Sequence, residues 1–376
     1  MNQVLIIGAG RIGHCISKLL ARSGRFHVTL ADQNESALSR LSGGNIATLP
    51  LNVYDQSALH EALQNKQAVI SACSFNENPH IAEAALISGA SYFDLTEDVE
   101  TTRHIQKLAK KARPGQIFMP QCGLAPGFIG ILGHALGQRF EKLDTLKLRV
   151  GALPEFPSNR MMYNLTWSTE GLINEYCNPC EAIKQGQYVE VEALEGLESF
   201  SLDGIDYEAF NTSGGLGTLC QTLKGQVQEL TYKTIRYPGH RYLMDFLVNG
   251  LRLGDSAERR NLLKQIFESS IAVTQQDVVI VFVSANGWIE GQLTQISDYF
   301  RIYHDDVEGE HWSAIQISTA TGIASVVDLF FTGKLPSQGF VSQEQVRLSD
   351  FMGSEFAQAY RESRHHRRNQ FQNRTP

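Results

Sequence analysis

Hydrophobic residues in the first part of the chain form short apolar runs that alternate with amphipathic stretches. The apolar runs predict strands at Val4–Ile7, His27–Asp32, Asn45–Asn52, Ala68–Ala72, Ser91–Asp94 and Gln116–Pro120. Helical periodicity predicts helices at Ile12–Ser23, Gln56–Leu63, Pro79–Ser88 and Val99–Ala112. Because strands and helices alternate with short connections, the pattern predicts an α/β fold with a Rossmann-like doubly wound parallel sheet.

The pattern changes after about residue 127. Long strand-like runs at Leu146–Leu153, Glu229–Tyr237 and Asp277–Ser284 are widely spaced and predict an inserted α+β domain. The broad apolar face of a helix at Gly322–Thr332 predicts a return to the first domain. The sequence thus predicts four parts: 1–126 for the nucleotide, 127–318 for substrate and oligomerisation, 319–352 returning to the first domain, and a flexible tail at 353–376 with a basic cluster, Arg364–Arg368.

Composition narrows the classes of function. A net charge of −7 and a pI near 5.9 argue against a nucleic-acid or anionic-membrane partner. No signal peptide is evident and no apolar run approaches the ~20 residues that span a bilayer, so we expect a cytoplasmic protein. Cys177 and Cys180 form a Cys-x-x-Cys pair, but no second pair or nearby histidine completes a zinc site. No metal is expected, and a redox role for this pair stays open.

A glycine-rich motif, Gly8-x-Gly10-x-x-Gly13, joins the first strand to the first helix. Such a turn brings the backbone and the helix N-terminus, here with Arg11 and Ile12, to the pyrophosphate of a dinucleotide. The second strand ends in Asp32, nineteen residues after Gly13. An acid there binds the ribose hydroxyls and repels a 2′-phosphate, so NAD is favoured over NADP. Ser71, Ala72 and Cys73, at the end of the fourth strand, are also expected to face the cofactor.

Further segments resemble the saccharopine dehydrogenase and lysine 6-dehydrogenase group over nearly the whole chain. Besides the glycine loop and Asp32, they are Tyr92–Asp98, Gly123–Phe128, Tyr163–Gly171, Phe210–Thr218 and Lys233–His240. The last three are most similar to the lysine 6-dehydrogenase branch. The resemblance implies a Rossmann domain interrupted by a dimerising substrate domain, and oxidation of a carbon–nitrogen bond at the lysine side-chain nitrogen.

The resemblance also implies positions for substrate contacts. By motif match they are Thr96 and Glu97 after a strand of the first domain, and Thr234 with Arg236 in the second. The planar fork of Arg236 suits an amino-acid α-carboxylate, although a surface arginine on an edge strand is the alternative. The saccharopine branch carries a further arginine where this chain has Asn211–Gly215. Its absence indicates lysine itself as the substrate.

Oxidation at the lysine ε-carbon requires a group that takes a proton from the ε-ammonium, whose pKa is about 10.4. Glu97 is the first candidate for this base and Asp98 the second, since Asp94, Glu97 and Asp98 crowd one sheet edge. Equally, Thr96, Asp98 and Glu100 are residues that a helix N-terminus favours. His80 and His240 are further candidates that packing or turn roles explain as well.

We therefore expect NAD-dependent oxidative deamination of the L-lysine ε-amine to the 6-semialdehyde, with release of ammonia. The alternative is a saccharopine dehydrogenase that forms glutamate with the same cofactor. A non-enzymatic NAD sensor is disfavoured because it needs no pocket built from Thr96, Glu97 and Arg236. We also expect a homo-oligomer, most simply a dimer in which apolar strands such as Val278–Val283 continue a sheet across a two-fold axis.

Overall fold

The structure, a computed structural model, describes residues 1–39, 45–307 and 309–363. The chain divides into two compact units. The first contains Met1–Ile131 and Ser318–Ala359, and the second contains Leu132–Ile317 with the segment from Tyr360 onward. The sequence placed these boundaries near 126, 318 and 352. Each unit is described by itself below.

The first unit begins with alternating strands and helices. Its elements are β1 (Asn2–Ile7), α1 (Arg11–Arg22), β2 (Phe26–Asp32), α2 (Glu35–Ser39), β3 (Ile46–Pro50), α3 (Gln56–Ala62), β4 (Ala68–Ser71), α4 (Asn78–Ser88), β5 (Ser91–Asp94), α5 (Val99–Ala109), β6 (Ile117–Met119) and α6 (Phe128–Gly137), the last of which runs across a unit boundary. The strands lie within a core of apolar side chains, since β1, β4, β5 and β6 are buried along almost their whole length.

The second unit contains longer strands and more irregular connections. Its elements are β7 (Lys142–Pro154), α7 (Thr169–Cys177), β8 (Cys180–Lys184), β9 (Gln187–Val191), β10 (Glu198–Leu202), β11 (Ile205–Asn211), α8 (Leu219–Leu223), β12 (Glu229–Arg236), α9 (His240–Asp245) continuing into a π-helical turn (Phe246–Gly250), α10 (Ala257–Ser270), β13 (Asp277–Ile289), β14 (Gln292–Tyr303), β15 (Asp305–Val307) and β16 (Glu310–Trp312). Helix α11 (Ala314–Phe331) follows and runs into the first unit, where β17 (Gly339–Phe340) and α12 (Leu348–Gly353) complete the described elements.

The described part of the first unit contains a parallel sheet in the order β17-β6-β5-β4-β1-β2-β3. The strand order reverses beside β1, so the crevice at the carboxyl ends of β1 and β4 is where such folds bind ligands. The second unit contains a mixed sheet in the order β10-β11-β12-β7-β13-β14, with β8 and β9 attached to β12. The expected fold class, a Rossmann-like parallel sheet with an inserted α+β domain, is confirmed.

Three expectations need correction. The strand containing Val278–Val283 pairs with β7 on one side and β14 on the other, so its backbone cannot continue a sheet into another molecule. Residues 353–363 are not a flexible tail, because Phe356 and Tyr360 are buried there; the basic cluster Arg364–Arg368 lies outside the described residues. The third is the expectation that no apolar run approaches the length of a bilayer span, because α11 is long and apolar enough to cross a membrane. However, 78% of α11 is buried, as in the core helix of a globular unit.

Candidate functional site

The turn between β1 and α1 contains contacts that glycine alone allows. Gly8 has a φ of +106°, and a Cβ on it would lie 2.8 Å from the Ala72 carbonyl oxygen. A Cβ on Gly13 would lie 1.8 Å from the Gly8 carbonyl oxygen, so α1 packs directly on the turn. Around Gly10, by contrast, no described atom beyond its chain neighbours lies within 4 Å of such a Cβ. The space over Gly10 therefore lets a phosphate approach the backbone.

The N-terminus of α1 fits the pyrophosphate of a nicotinamide dinucleotide. Gly10 is the N-cap residue and has no side chain that could accept hydrogen bonds from the first turn of the helix. The N–H groups of the first turn, at Arg11 and Ile12, thus lie at the positive end of the helix dipole. The Arg11 side chain is exposed beside this turn. These residues suit an anionic ligand.

Asp32 is held rigidly at the end of β2, next to the glycine turn. Its Oδ2 accepts a hydrogen bond from the Ala9 N–H at 2.6 Å, and its Oδ1 accepts one from the Asn34 N–H at 2.8 Å. The side chain remains partly exposed. The carboxylate therefore occupies the position from which an acid in this fold binds the adenosine ribose.

The segment after β4 lies against the same turn. The Ser71 hydroxyl donates a hydrogen bond to Asn78 Oδ1 at 2.7 Å, and the Cys73 thiol donates one to the Ile7 carbonyl at 3.4 Å. Burial raises the pKa of Cys73 to about 12. Cys73 is therefore a neutral packing group beside the cofactor site and not a thiolate nucleophile.

Asp94, at the end of β5, joins two loops at the carboxyl edge of the sheet. It is fully buried and accepts hydrogen bonds from the Tyr92 hydroxyl (2.7 Å), the Thr96 N–H (2.9 Å) and the Gln121 N–H (3.0 Å). Burial raises the pKa of Asp94 to about 6, although these three donors oppose the shift. Gln121 itself has a φ of +64°, which the hydrogen bond to Asp94 helps to hold.

The structure gives Asp98 a clear structural role. It is the N-cap of α5, and its Oδ1 accepts a hydrogen bond from the Thr101 N–H at 2.7 Å. Thr96 is buried, and its hydroxyl accepts a hydrogen bond from the Asp98 N–H at 3.1 Å. Glu97 lies between them and is partly buried. The capping interpretation therefore accounts for Asp98, and Glu97 stays the predicted base.

The second unit buries Arg236 at the end of β12. Its guanidinium donates from Nε to the Tyr176 hydroxyl at 2.9 Å and from Nη1 to the Ile235 carbonyl at 2.8 Å. Its Cζ lies 5.0 Å from the centre of the Tyr163 ring. Only 2% of Arg236 is exposed, and the charge of the buried Glu175 carboxylate acts on its guanidinium. A buried guanidinium is costly unless hydrogen bonds and negative charge surround it, and its planar fork suits a carboxylate.

Thr234, two residues before Arg236, uses its hydroxyl proton in a hydrogen bond within the sheet and does not offer it to a substrate. Its hydroxyl donates a hydrogen bond to the Val150 carbonyl on the parallel neighbour β7 at 3.3 Å. The residue is buried. Thr234 therefore ties β12 to β7 and places Arg236 through the backbone.

Aromatic groups surround Arg236, and of these Tyr176 was not predicted from the sequence. The Tyr176 hydroxyl lies 3.1 Å from His240 Nε2, and His240 Nδ1 lies 2.9 Å from the Met161 carbonyl. Burial, together with the charge of Arg236, lowers the pKa of His240 to about 3. His240 is thus neutral and enclosed, which argues against it as the base. The resemblance segments Tyr163–Gly171 and Lys233–His240 contained a signal for this cluster, but nothing in the sequence pointed to Tyr176.

Two other candidates have ordinary surroundings. His80 is exposed on α4, with its ring centre 5.1 Å from that of Tyr54. Cys177 and Cys180 are free thiols, and burial raises the pKa of both. Across residues 1–39, 45–307 and 309–363, no group of three or more His, Cys, Asp or Glu side chains is arranged to hold a metal ion.

Comparison with known proteins covers both units. Residues 4–119 match the family model described as the saccharopine dehydrogenase NADP binding domain, and residues 123–356 match the saccharopine dehydrogenase C-terminal domain. Two curated relatives are named saccharopine dehydrogenase [NADP(+), L-glutamate-forming]. The one from Schizosaccharomyces pombe is 23% identical over 210 residues, 53% of this chain and 46% of its own length. The one from Saccharomyces cerevisiae is 26% identical over 213 residues, 52% of this chain and 45% of its own length.

The matched part of the chain therefore spans about half the length of these relatives. Among solved structures, the apo saccharopine dehydrogenase (L-Glu forming) from Saccharomyces cerevisiae aligns with 94% of this chain and 96% of its own. The TM-score is 0.72 at 17% sequence identity, so the likeness establishes a shared fold.

Proposed function

Because the chain belongs to the saccharopine dehydrogenase family, and is an oxidoreductase with a Rossmann domain for NAD(P), we propose that it oxidises the carbon–nitrogen bond of saccharopine. Loss of hydride from the carbon leaves an imine of the substrate, and water hydrolyses that imine to glutamate and the lysine-derived semialdehyde. The observation that carries the proposal is the buried Arg236, whose guanidinium is held by the Tyr176 hydroxyl and suits the α-carboxylate of an amino-acid substrate. The names of the curated relatives support the same reaction.

The residues of this chain supply binding and proton transfer. In the second unit, the proposed role of Arg236 is to bind a substrate carboxylate. In the first unit, the proposed role of Glu97 is to accept a proton from a nitrogen that is to be oxidised. A bound nicotinamide dinucleotide supplies the hydride acceptor for the carbon next to that nitrogen. Gly10 and the first turn of α1 hold its pyrophosphate, and Asp32 holds its ribose.

For the cofactor we propose NAD, although the relatives' names specify NADP. Support comes from Asp32, because a carboxylate fixed by the Ala9 and Asn34 N–H groups repels a 2′-phosphate. We expect kcat/KM with NAD to exceed that with NADP at least ~10-fold, and Asp32→Asn to narrow the ratio while keeping an acceptor for the loop. Glu35→Gln, an exposed acid on α2, is the matched control. Equal kcat/KM for both cofactors in the unmodified enzyme would refute NAD preference.

A second candidate reaction is oxidative deamination of the lysine ε-amine. It is favoured by Asn211–Gly215, where the saccharopine branch is expected to carry an arginine for the glutarate part of its larger substrate. In this segment the Thr212 hydroxyl is buried without a hydrogen-bond partner. This segment contains no cationic side chain that could bind a second carboxylate.

One assay separates the two reactions. Purified enzyme and NAD are incubated with saccharopine or with L-lysine labelled at the ε-nitrogen, and NADH absorbance and the fate of the nitrogen are followed. Saccharopine turnover with glutamate as product supports the main proposal. Turnover of lysine with label in free ammonia, and none of saccharopine, replaces it with the second candidate. No reduced cofactor with either substrate, with NAD or with NADP, would refute both reactions.

A further inference from the structure

The hydrogen bonds behind Arg236 form one continuous chain of four groups. Arg236 Nε lies 2.9 Å from the Tyr176 hydroxyl oxygen, which lies 3.1 Å from His240 Nε2. His240 Nδ1 lies 2.9 Å from the Met161 carbonyl oxygen. All three side chains are buried, so water does not compete for these bonds.

The chemistry of the end groups fixes the direction of every bond in the chain. The Met161 carbonyl can only accept, so His240 carries its proton on Nδ1. His240 is neutral because burial and the Arg236 charge lower its pKa to about 3, so Nε2 is an acceptor. The Tyr176 hydroxyl therefore donates to Nε2, and its oxygen lone pair accepts from Arg236 Nε. No alternative arrangement satisfies all four groups.

We propose that Tyr176 and His240 are positioning residues that fix the orientation of the Arg236 guanidinium for the substrate carboxylate. The proposal rests on the proposed function, in which Arg236 binds that carboxylate. An arginine side chain has several rotatable bonds, and ordering them costs free energy at the moment of binding unless the protein has ordered them beforehand. The acceptors at Nε and Nη1 restrain the guanidinium at two of its three nitrogens, which leaves the N–H groups of Nη2 for the substrate carboxylate.

The packing around the guanidinium supports a rigid orientation and not a loose one. The Tyr163 ring lies 5.0 Å from Arg236 Cζ and the Tyr176 ring 5.8 Å, so aromatic faces restrict its movement out of plane. The His240 ring is itself packed against Tyr163, at 5.2 Å between ring centres. Because Met161 and Tyr163 lie in one segment, His240 links that segment to α7 and β12.

Tyr176→Phe is the primary test, since it keeps the ring and removes the hydroxyl. We expect the KM for the amino-acid substrate to rise ~10-fold with kcat within ~2-fold, because the carboxylate grip weakens while the reacting end is unaffected. Tyr207→Phe is the matched control. Tyr207 is buried in the same unit, but it stacks on Tyr237 and belongs to a different hydrophobic cluster from Tyr163 and Tyr176. The control should leave KM unchanged.

Paired variants of His240 test the far end of the chain. His240→Gln offers an amide oxygen that can accept from the Tyr176 hydroxyl, whereas His240→Leu fills the space without an acceptor. We expect the KM of His240→Leu to rise and the KM of His240→Gln to stay close to that of the wild type. Equal KM for both variants would show that His240 acts by volume alone and would overturn its part in the proposal.

A measurement on the enzyme without substrate separates this proposal from the proposed function. Hydrogen exchange of the Arg236 Nε–H, followed by NMR with labelled arginine, should accelerate at least ~10-fold in Tyr176→Phe and stay unchanged in Tyr207→Phe. Unchanged exchange in Tyr176→Phe would overturn the positioning role. If exchange accelerates but Arg236→Lys has the wild-type KM, the carboxylate role of Arg236 fails and the proposed function with it.

Discussion

At the scale of single residues, Asp94 combines a structural role with an unfavourable charge. Its carboxylate holds the loops that begin at Thr96 and Gln121, yet burial raises its pKa from an ordinary value of 3.8 to about 6. A carboxyl group with a raised pKa in the folded state favours folding most when it is protonated. This contribution is complete below about pH 4 and is lost as the pH rises through about 6.

Asp94→Asn should therefore change the pH dependence of stability. Relative to wild type, the free energy of unfolding of the variant should rise between pH 4 and 7, by about 3 kcal/mol at most for a shift of this size. Urea unfolding at several pH values measures the free energy of unfolding of both proteins. A cost of the introduced amide that does not depend on pH shifts every value of the variant equally and leaves the pH dependence unchanged. Asp55→Asn, at an exposed N-cap, controls for the change of net charge. A pH-independent difference between Asp94→Asn and wild type would contradict the raised pKa.

Neighbouring acids in the Thr96–Asp98 loop should separate into two roles. Asp98→Asn keeps an N-cap acceptor, so stability and kcat should stay near wild type, whereas Asp98→Ala should lose about 1 kcal/mol with little change in kcat. Glu97→Gln should lower kcat by ~10²–10⁴-fold because it removes the proposed base. Thermal unfolding and steady-state kinetics on all three variants provide the check. A large loss of kcat in Asp98→Asn, with none in Glu97→Gln, would reverse the assignment.

Residue-scale chemistry was only partly readable from the sequence. The roles of Gly8, Gly13 and Asp32 follow from local geometry, because a strand, a turn and a helix in sequence place them. The chain from Arg236 through Tyr176 to His240 joins residues that are far apart in sequence, and no local pattern encodes their contact. Burial likewise decides the pKa of Asp94, and burial at one atom depends on the whole fold.

At the scale of elements, the β1–α1 unit makes opposite demands on two glycines. Gly13→Ala would place a methyl group 1.8 Å from the Gly8 carbonyl oxygen, so the turn must open and stability should fall by about 1–3 kcal/mol or more. Gly10→Ala meets no described atom within 4 Å beyond its neighbours and has an ordinary φ of −69°. Its stability should be near wild type, but its NADH affinity should fall because the methyl group takes the space of the pyrophosphate.

Calorimetry and NADH fluorescence titration distinguish the two glycine variants. The expected pair is an unstable Gly13→Ala protein and a stable Gly10→Ala protein with at least ~10-fold weaker NADH binding. Full NADH affinity in Gly10→Ala would show that the phosphates lie elsewhere.

Elements with strong periodicity were predictable, and those defined by tertiary contacts were not. The Rossmann strands appear within a few residues of their predicted bounds, since buried parallel strands are continuous apolar runs. Helix α11 begins at Ala314, eight residues before the predicted start, because Ser318, Thr319 and Thr321 obscure its apolar face in the sequence. Its N-terminus is instead fixed by Asp277, which accepts hydrogen bonds from the Ala314 and Ile315 N–H groups.

At the scale of the whole molecule, the sequence predicted the fold class, and the family resemblance extended it to the second unit. The division into units depends on which elements bury each other's surface, so the inserted segment begins at Leu132, later than the predicted 127, whereas its end at Ile317 is within one residue of the prediction. The mixed sheet was harder to predict from the sequence than the parallel sheet. In its hairpins β8–β9 and β10–β11, strands β9 and β10 are at least partly exposed along their whole length, which is typical of many surface segments.

The homo-oligomer stays a prediction, and the sheet order changes where we place its interface. Strand β14 is at the end of the mixed sheet, whereas β13 is paired on both sides. A long edge strand offers unpaired backbone groups to another chain. Near its end, β14 is covered, since Ser363 accepts a hydrogen bond from the Arg301 N–H. We therefore propose that a dimer forms through the first half of β14, where the Leu293 side chain is 71% exposed.

Light scattering at micromolar concentration should return twice the 41.8 kDa of one chain. Leu293→Lys should shift the protein toward the monomer, because bringing two symmetry-related strands together would bury the new charges beside each other. Leu262→Lys is the control, since Leu262 is also exposed, at 48%, but lies on helix α10 and not on β14. A monomeric wild type would refute the dimer. A Leu293→Lys protein that remains dimeric would place the interface on another surface of the chain.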